Sequence, residues 1–217
     1  MQSHGIVFDC DGTLVDSLGA AMESFNYALN KIGFKPRGEQ EIKRYFGAGA
    51  DRIFTAILGN EEEGLKAFEH YVDHQSELAM RIKLHDGVRE MLENLAAGGV
   101  PMGVVTGRHA RDLDVVLRPH KIADYFVTVI ADNHLPKSKP APDGILLAAQ
   151  KMKLDPRRTL YVGDSVMDMQ AAHGAGSAPV AALWDRLVKR SAMETEKPKY
   201  LAAHPSDIRR IFKTFTG

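Results

Sequence analysis

The sequence predicts an α/β fold in which a doubly wound parallel sheet carries an inserted helical domain. The first observation is a series of short, nearly continuous apolar runs, which is typical of parallel strands buried on both faces. The second is that helical patterns separate most of these runs, as crossover connections between parallel strands require. The third is a long and purely helical stretch that follows the first run and interrupts the alternation.

Short apolar runs mark the predicted strands of the sheet. The first run is rich in β-branched residues and stops abruptly at Asp9. Later runs have the same character, and two of them end at a glycine next to a polar residue. The predicted strands span 5–8, 102–105, 126–130, 160–162 and 179–183.

Apolar residues at helical spacing predict the helices that connect these strands. Val88, Met91 and Leu95 recur at the period of a helix, and the glycines at 98–99 end it. The same spacing predicts further helices over 113–117 and 142–152.

The stretch 16–85 predicts a helical cap inserted into the sheet domain. Four apolar stripes indicate four helices, and no run in this stretch resembles a strand. The predicted helices cover 18–29, 39–46, 51–58 and 61–83. Because four helices can bury their apolar faces against one another, we expect a separate unit over a core made of 1–15 and 86–217.

Composition excludes several classes of function. The 217 residues carry 28 Lys and Arg against 28 Asp and Glu, so no global field recruits nucleic acid or an anionic membrane. The single cysteine, Cys10, cannot form an internal disulfide and favours a reducing cytoplasm. No apolar stretch approaches the roughly 20 residues of a membrane-spanning helix, and no signal peptide is visible. We expect a cytoplasmic monomer or homodimer that acts on a small molecule.

Polar residues collect where the predicted strands end. Asp9 and Asp11 follow the first strand, Thr106 the second, and Asp164 and Asp168 the fourth. Any one of these residues is explained by a turn, where Asp, Gly and Thr are common. Together at three strand ends, they favour a ligand site, because open parallel sheets bind ligands at their carboxyl edge.

Several carboxylates in one small volume predict a bound metal ion. Like charges that close disfavour joint ionisation, and a divalent cation resolves the conflict. Magnesium suits the set best, because it prefers oxygen ligands and keeps several waters. The alternatives fail on spacing: Gly12 stands at the wrong position for a calcium loop, and the histidines lack the spacing of zinc ligands.

The ordered motifs resemble those of the haloacid dehalogenase superfamily, in its phosphatase branch. Residues 9–17 (DCDGTLVDS) resemble the first signature, and Thr106 stands where the second motif requires Ser or Thr. Lys139-Pro140 resembles the third motif and 163–168 (GDSVMD) the fourth. The resemblance covers essentially the whole chain. It implies a Rossmann-like core, with the cap where phosphoglycolate phosphatase-like members carry theirs.

The resemblance also implies a role for each motif residue. Asp9 would be the nucleophile that forms an aspartyl-phosphate, and Asp11 the general acid and then the base that activates water. Thr106, Gly107 and Lys139 would hold the phosphoryl oxygens and offset their charge.

A second set of implied roles concerns the metal. Asp9, Asp164 and the backbone carbonyl of Asp11 would bind Mg²⁺. Asp168, four residues after Asp164, would support the ion directly or through water. The expected function is therefore a magnesium-dependent phosphatase for a small phosphorylated metabolite.

One departure from the family pattern concerns the substrate. Relatives usually have Asn after the second-motif Ser or Thr, whereas Gly107-Arg108 follows Thr106 here. Arg108 is interpreted equally well as a cation at the mouth of the site or as a solvated residue at a helix start. The cap adds three cations around its glycine turn: Lys43, Arg44 and Arg52. One of these cations facing inward would favour a second negative charge on the substrate, as in phosphoglycolate.

Other functions are compatible with parts of this pattern. A phosphomutase resembling β-phosphoglucomutase uses the same aspartate pair and the same kind of cap, and it is the nearest alternative. A hydrolytic dehalogenase needs no acid at the second position, so Asp11 argues against it. A non-catalytic binding protein has no use for nucleophile and acid together.

Overall fold

The computed structural model describes residues 3–45 and 47–217 of the chain. In chain order the strands are β1 (Gly5–Phe8), β2 (Val15–Asp16), β3 (Lys83–Leu84), β4 (Met102–Val105), β5 (Thr128–Ile130), β6 (Thr159–Gly163), β7 (Ala178–Ala182) and β8 (Tyr200–Ala202). The helices are α1 (Leu18–Lys31), α2 (Glu39–Lys43), α3 (Ala50–Leu58), α4 (Glu61–Leu78), α5 (Val88–Ala97), α6 (Ala110–Leu117), α7 (Asp143–Lys151), α8 (Val166–Ala175), α9 (Arg190–Thr195) and α10 (Asp207–Thr216).

Six strands form a parallel sheet in the order β5-β4-β1-β6-β7-β8. The side chains of β1 alternate between its two faces, as a strand requires. Ile6 and Phe8 belong to a buried cluster with residues of α5, α6 and α10, whereas Val7 belongs to a second cluster with α7 and α8. Helices therefore cover both faces of the sheet, and the predicted doubly wound α/β architecture is confirmed.

The edges of the sheet differ from the sequence expectation. The predicted strand 126–130 is shorter and begins at Thr128. The edge strand β8 pairs with β7, and its three residues are too few to give a recognisable apolar run.

The helices α1 to α4 pack around a hydrophobic cluster of their own. Phe25 lies at its centre, with ring centroids 4.7 Å from Phe54 and 4.9 Å from Tyr71. All buried members of this cluster come from 25–72, which supports the proposed division into a cap of 16–85 and a core. The predicted helix 39–46 ends at Lys43 among the described residues, and Phe46 lies outside them.

The prediction that 16–85 contains no strand is wrong. The long helix α4 ends at Leu78 rather than near Lys83, and a 3₁₀ turn over Ala79–Arg81 follows it. β2 and β3 then pair antiparallel, Val15 opposite Leu84. This two-stranded ladder joins the two chain segments that lead into and out of the helices.

Among the residues that the structure describes, no helix is both long enough and apolar enough to cross a membrane.

Candidate active site

The carboxyl ends of three neighbouring strands bring the predicted site residues together. Because β1 lies between β4 and β6, Asp9, Thr106 and Asp164 emerge side by side at one edge of the sheet. The backbone N–H of Asp9 donates to the carbonyl of Val162 at 2.8 Å, which extends the ladder by one residue and fixes the Asp9 backbone. A cavity of about 140 Å³ lies over this edge, and Asp9 lines it.

Lys139 lies between two carboxylates at the bottom of the site. Its Nζ is 2.9 Å from Asp9 Oδ1 and 2.7 Å from Asp168 Oδ1. Burial opposes the charged ammonium, but the nearby carboxylates outweigh it and hold the pKa of Lys139 well above its ordinary value. Lys139 is therefore a fixed positive charge beside Asp9.

Asp168 is held by the first turn of α8. Its Oδ2 accepts hydrogen bonds from the backbone N–H and the hydroxyl of Ser165 at 3.0 and 2.6 Å, and Ser165 Oγ accepts from the Asp168 N–H in return. This reciprocal capping follows from the Ser-x-x-Asp spacing at the helix start. The other carboxylate oxygen, Asp168 Oδ1, accepts hydrogen bonds from Lys139 and, at 3.1 Å, from the Tyr161 hydroxyl. Both oxygens of Asp168 thus have protein partners, and the side chain orients Lys139.

Asp164 approaches the loop after β1 closely. Thr13 Oγ1 donates to its Oδ1 at 3.0 Å. Gly12 has a φ of +73°, and a Cβ at that position would lie only 2.2 Å from Asp164 Oδ2. A side chain at position 12 is excluded both by the backbone conformation and by Asp164.

The carboxylates at this edge carry more negative charge than their surroundings offset. Burial, with further repulsion from Asp168 and Asp11, raises the pKa of Asp9 to about 7 although Lys139 opposes the shift. Burial and the same kind of repulsion raise the pKa of Asp164 well above its ordinary value. Carboxylate oxygens of Asp9, Asp164 and Asp168 lie within 4.8 Å of one another. This donor set, all oxygen and short of positive charge, fits a divalent cation.

The Asp11 carboxylate faces a different partner, Arg108. The guanidinium donates from Nε to both Asp11 oxygens at 2.8 and 2.9 Å. Its Nη1 donates to Asp112 at 2.9 Å and to Gln75 of α4 at 3.2 Å. The Ser17 hydroxyl also donates to Asp11. Arg108 is only 5% exposed, so the interpretation as a solvated helix-start residue is wrong and the cation lies in the site.

The second-motif residues shape the backbone at the end of β4. Thr106 is buried, and its Oγ1 accepts a hydrogen bond from the Arg108 N–H at 3.1 Å. Gly107 lines the cavity, where a Cβ would lie 3.0 Å from the carbonyl oxygen of Gly47 in the cap. The Gly49 N–H of the same cap turn donates to Asp132 of the core at 2.9 Å. The cap turn therefore rests directly on the core beside the cavity.

A model of the haloacid dehalogenase-like hydrolases matches residues 6–182 of the chain. The chain belongs to this family.

Similar proteins agree with this assignment. A phosphoglycolate phosphatase of Yersinia pseudotuberculosis is 32% identical over 214 residues, 94% of this chain and 91% of the relative. An N-acetylmuramic acid 6-phosphate phosphatase of Pseudomonas putida is 26% identical over 215 residues, 97% of this chain and 96% of the relative. The crystal structure of a predicted phosphoglycolate phosphatase from Haemophilus somnus superposes with a TM-score of 0.82, at 28% identity, covering 97% of this chain and 98% of that one. The expected resemblance to phosphoglycolate phosphatase-like members, and the assignment as a phosphatase, are confirmed.

The cap arginines do not reach the cavity of this haloacid dehalogenase-like hydrolase. Arg52 donates to Ser138 Oγ at 3.0 Å and to the Leu135 carbonyl at 3.1 Å, and its Nε lies 3.4 Å from Asp132. Arg44 is exposed. Within the described ranges 3–45 and 47–217, neither side chain lines the cavity, and the side chain of Lys43 lies outside the described part. Arg52 thus binds a core loop instead of facing the substrate space.

Sequence reasoning missed two polar partners at the hydrolase site. Asp112 lies in the first turn of α6, four residues after Arg108 in the bend before that helix, and this short separation in the sequence could have identified the pair. Gln75 comes from the middle of α4 in the cap and carries no local signal.

Proposed function

We propose that this phosphatase hydrolyses a small phosphomonoester with the help of a bound magnesium ion and through a phosphorylated Asp9. The observation that carries the proposal is the position of Asp9. Its buried carboxylate lines the cavity beside the ammonium of Lys139, with Asp11 two residues further along the same loop. The other aspartates that line or border this cavity add negative charge, which a bound divalent cation would neutralise.

Two displacement steps account for the reaction. In the first, an Asp9 carboxylate oxygen attacks phosphorus and the bond from phosphorus to the ester oxygen breaks. Asp11, which takes up a proton as the anionic phosphate enters, donates that proton to the departing alcohol. In the second, Asp11 takes a proton from water as that water attacks the aspartyl-phosphate. Inorganic phosphate leaves, and the Asp9 carboxylate is regenerated. The net reaction consumes one water and releases one alcohol.

The remaining residues bind and orient the phosphoryl group. Lys139 and the backbone around Thr106 and Gly107 would hold its oxygens, where charge spreads during transfer. Asp168 keeps Lys139 in place through its 2.7 Å ion pair. Asp9, Asp164 and the Asp11 carbonyl would bind the magnesium ion, which offsets the negative charge of substrate and carboxylates.

Phosphate release tests the proposal. The wild-type protein should release inorganic phosphate from p-nitrophenyl phosphate when magnesium is present, and excess chelator should stop it reversibly. Asp9→Asn should abolish turnover, because an amide is a poor nucleophile. The exposed carboxylate Asp86 offers a matched control, and Asp86→Asn should keep wild-type kcat. Near-normal turnover by Asp9→Asn would disprove the covalent route, and phosphoryl transfer to a sugar without phosphate release would favour a mutase.

A further inference from the structure

The cavity has two walls of different chemistry. The wall from the core carries the aspartates and Lys139 described above. The wall from the cap is almost wholly apolar. Its lining residues come from α1, the cap turn, α3 and α4. Among those described, Tyr71 of α4 carries the one polar side chain, and the others are Leu18, Ala21, Phe25, Gly47, Ala48, Ala50 and Ile53. A phosphate held at the strand ends would therefore point its leaving group toward carbon atoms.

The cations that line the cavity are each shared between two carboxylates. Among the described lining residues, these cations are Lys139 and Arg108. Lys139 lies between Asp9 and Asp168, as shown above. Arg108 has the same arrangement, with Asp11 on one side and Asp112 on the other. The Arg108 guanidinium thus already donates to two carboxylates, that of the buried Asp112 and that of Asp11, which is 24% exposed.

This balance decides what the leaving group can carry. A carboxylate on the leaving group would lose its water and meet a guanidinium whose N–H donors Asp11 and Asp112 already occupy. Burying a charge without a free partner is costly, whereas an uncharged group loses little there. A cavity of about 140 Å³ also favours a small leaving group.

We infer that the substrate is the phosphomonoester of a small uncharged alcohol whose carbon face packs against the apolar cap wall. The inference rests on the proposed phosphatase function and specifies its substrate class. It separates this chain from relatives named for phosphoglycolate, whose leaving group is anionic. Ala48 and Leu18 are then specificity-determining positions, because they stand at the cap wall and are only partly buried.

Three esters of matched size test the inference. Phosphoglycolate, its neutral amide 2-phosphoglycolamide, and isobutyl phosphate have leaving groups with the same number of heavy atoms. We expect kcat/KM for the two neutral esters to exceed that for phosphoglycolate at least about tenfold, because only the anion is buried without a free partner. Isobutyl phosphate should be the better of the two neutral esters, since its leaving group is wholly apolar.

Variants that add a cation to the cap wall provide the second arm. Ala48→Lys should raise the ratio of kcat/KM for phosphoglycolate to kcat/KM for isobutyl phosphate about tenfold relative to Ala48→Met. Ala48→Met is the matched control, because methionine has a similar length and no charge. Leu18→Lys against Leu18→Met repeats the test on a helix, in case both Ala48 variants disturb the turn. A wild-type preference for phosphoglycolate would overturn the inference, as would equal ratios in the Lys and Met variants at both positions. Phosphate release from none of the three esters or p-nitrophenyl phosphate would contradict the proposed function itself.

Discussion

Arg108 pairs with two carboxylates although it carries one positive charge, and the pKa of the more deeply buried carboxyl, Asp112, is shifted. Burial raises the pKa of Asp112 from 3.8 to about 6. The attraction of Arg108 lowers this pKa only in part, because Asp11 pairs with the same guanidinium and repels Asp112. The folded protein thus binds the Asp112 proton more tightly than the unfolded chain does. The resulting stabilisation is fully present below pH 3.8 and is lost as the pH rises through about 6.

Asp112→Asn makes this dependence measurable. Between pH 4 and pH 7, the free energy of unfolding of the wild type should fall relative to that of the variant by about 3 kcal/mol, the value of a two-unit shift. Denaturant unfolding at several pH values gives both curves. A difference that stays constant across this range would show that Asp112 titrates as an exposed carboxylate does.

At the residue scale, the sequence predicted the groups that belong to local patterns. Asp9, Asp11 and Asp164 follow recognisable strands, so their convergence follows from parallel topology. The environment of Arg108 depends on Gln75, 33 residues away on α4, and no local pattern reports such a contact. The same holds for Arg52, whose partner Ser138 lies 86 residues away.

At the scale of elements, α3 and the cap turn before it attach the cap to the core. Asp132 accepts a hydrogen bond from the Gly49 N–H and lies beside Arg52. Arg52 also donates hydrogen bonds to the Leu135 carbonyl and the Ser138 hydroxyl. The loop that follows leads directly to Lys139. A contact that closes the cap is therefore only a few residues from the ammonium beside Asp9.

Loss of this contact should weaken substrate binding. Arg52→Ala should raise KM roughly three- to tenfold with a smaller change in kcat, because about two hydrogen bonds that hold the closed state disappear. Arg81→Ala is the matched control, since Arg81 forms an exposed ion pair with Glu23 of α1, within the cap. Steady-state kinetics on one neutral ester decide the matter. An equal rise of KM in both variants would remove Arg52 from the closing contact.

Elements long enough to show a period were predicted, and shorter ones were not. The helices α1 and α3 have apolar stripes that match their observed bounds within a few residues. β2 and β3 have two residues each, fewer than an alternation needs to be visible. The predicted end of α4 lay too late because the 3₁₀ turn after Leu78 continues helical geometry without a glycine or proline.

At the scale of the whole molecule, the sheet and the helices α1 to α4 meet around a cluster of negative charge. Each part has its own hydrophobic cluster, while the site between them is short of cations. A ligand that binds only the folded state adds to its stability in proportion to the logarithm of its concentration. The metal should therefore contribute to the stability of the fold as well as to the reaction.

Thermal unfolding tests this contribution without any substrate. Saturating magnesium should raise the Tm of the wild type by about 5 °C or more, as a stabilisation of about 2–3 kcal/mol implies for a chain of this size. Asp164→Asn should lose the shift, and its metal-free form should melt no lower than the wild type because one repulsive charge is gone. Asp86→Asn should behave as the wild type does. A full magnesium shift in Asp164→Asn would exclude Asp164 as a ligand.

The contact between Gly107 and Gly47 is made by backbone atoms alone. A methyl group at position 107 would stand 3.0 Å from the Gly47 carbonyl oxygen, so the cap turn would have to shift by a few tenths of an ångström. Sealing the site from water and letting product escape are opposing demands on one motion. Adding one carbon at position 107 would therefore alter the seating of the cap turn while leaving every catalytic side chain unchanged.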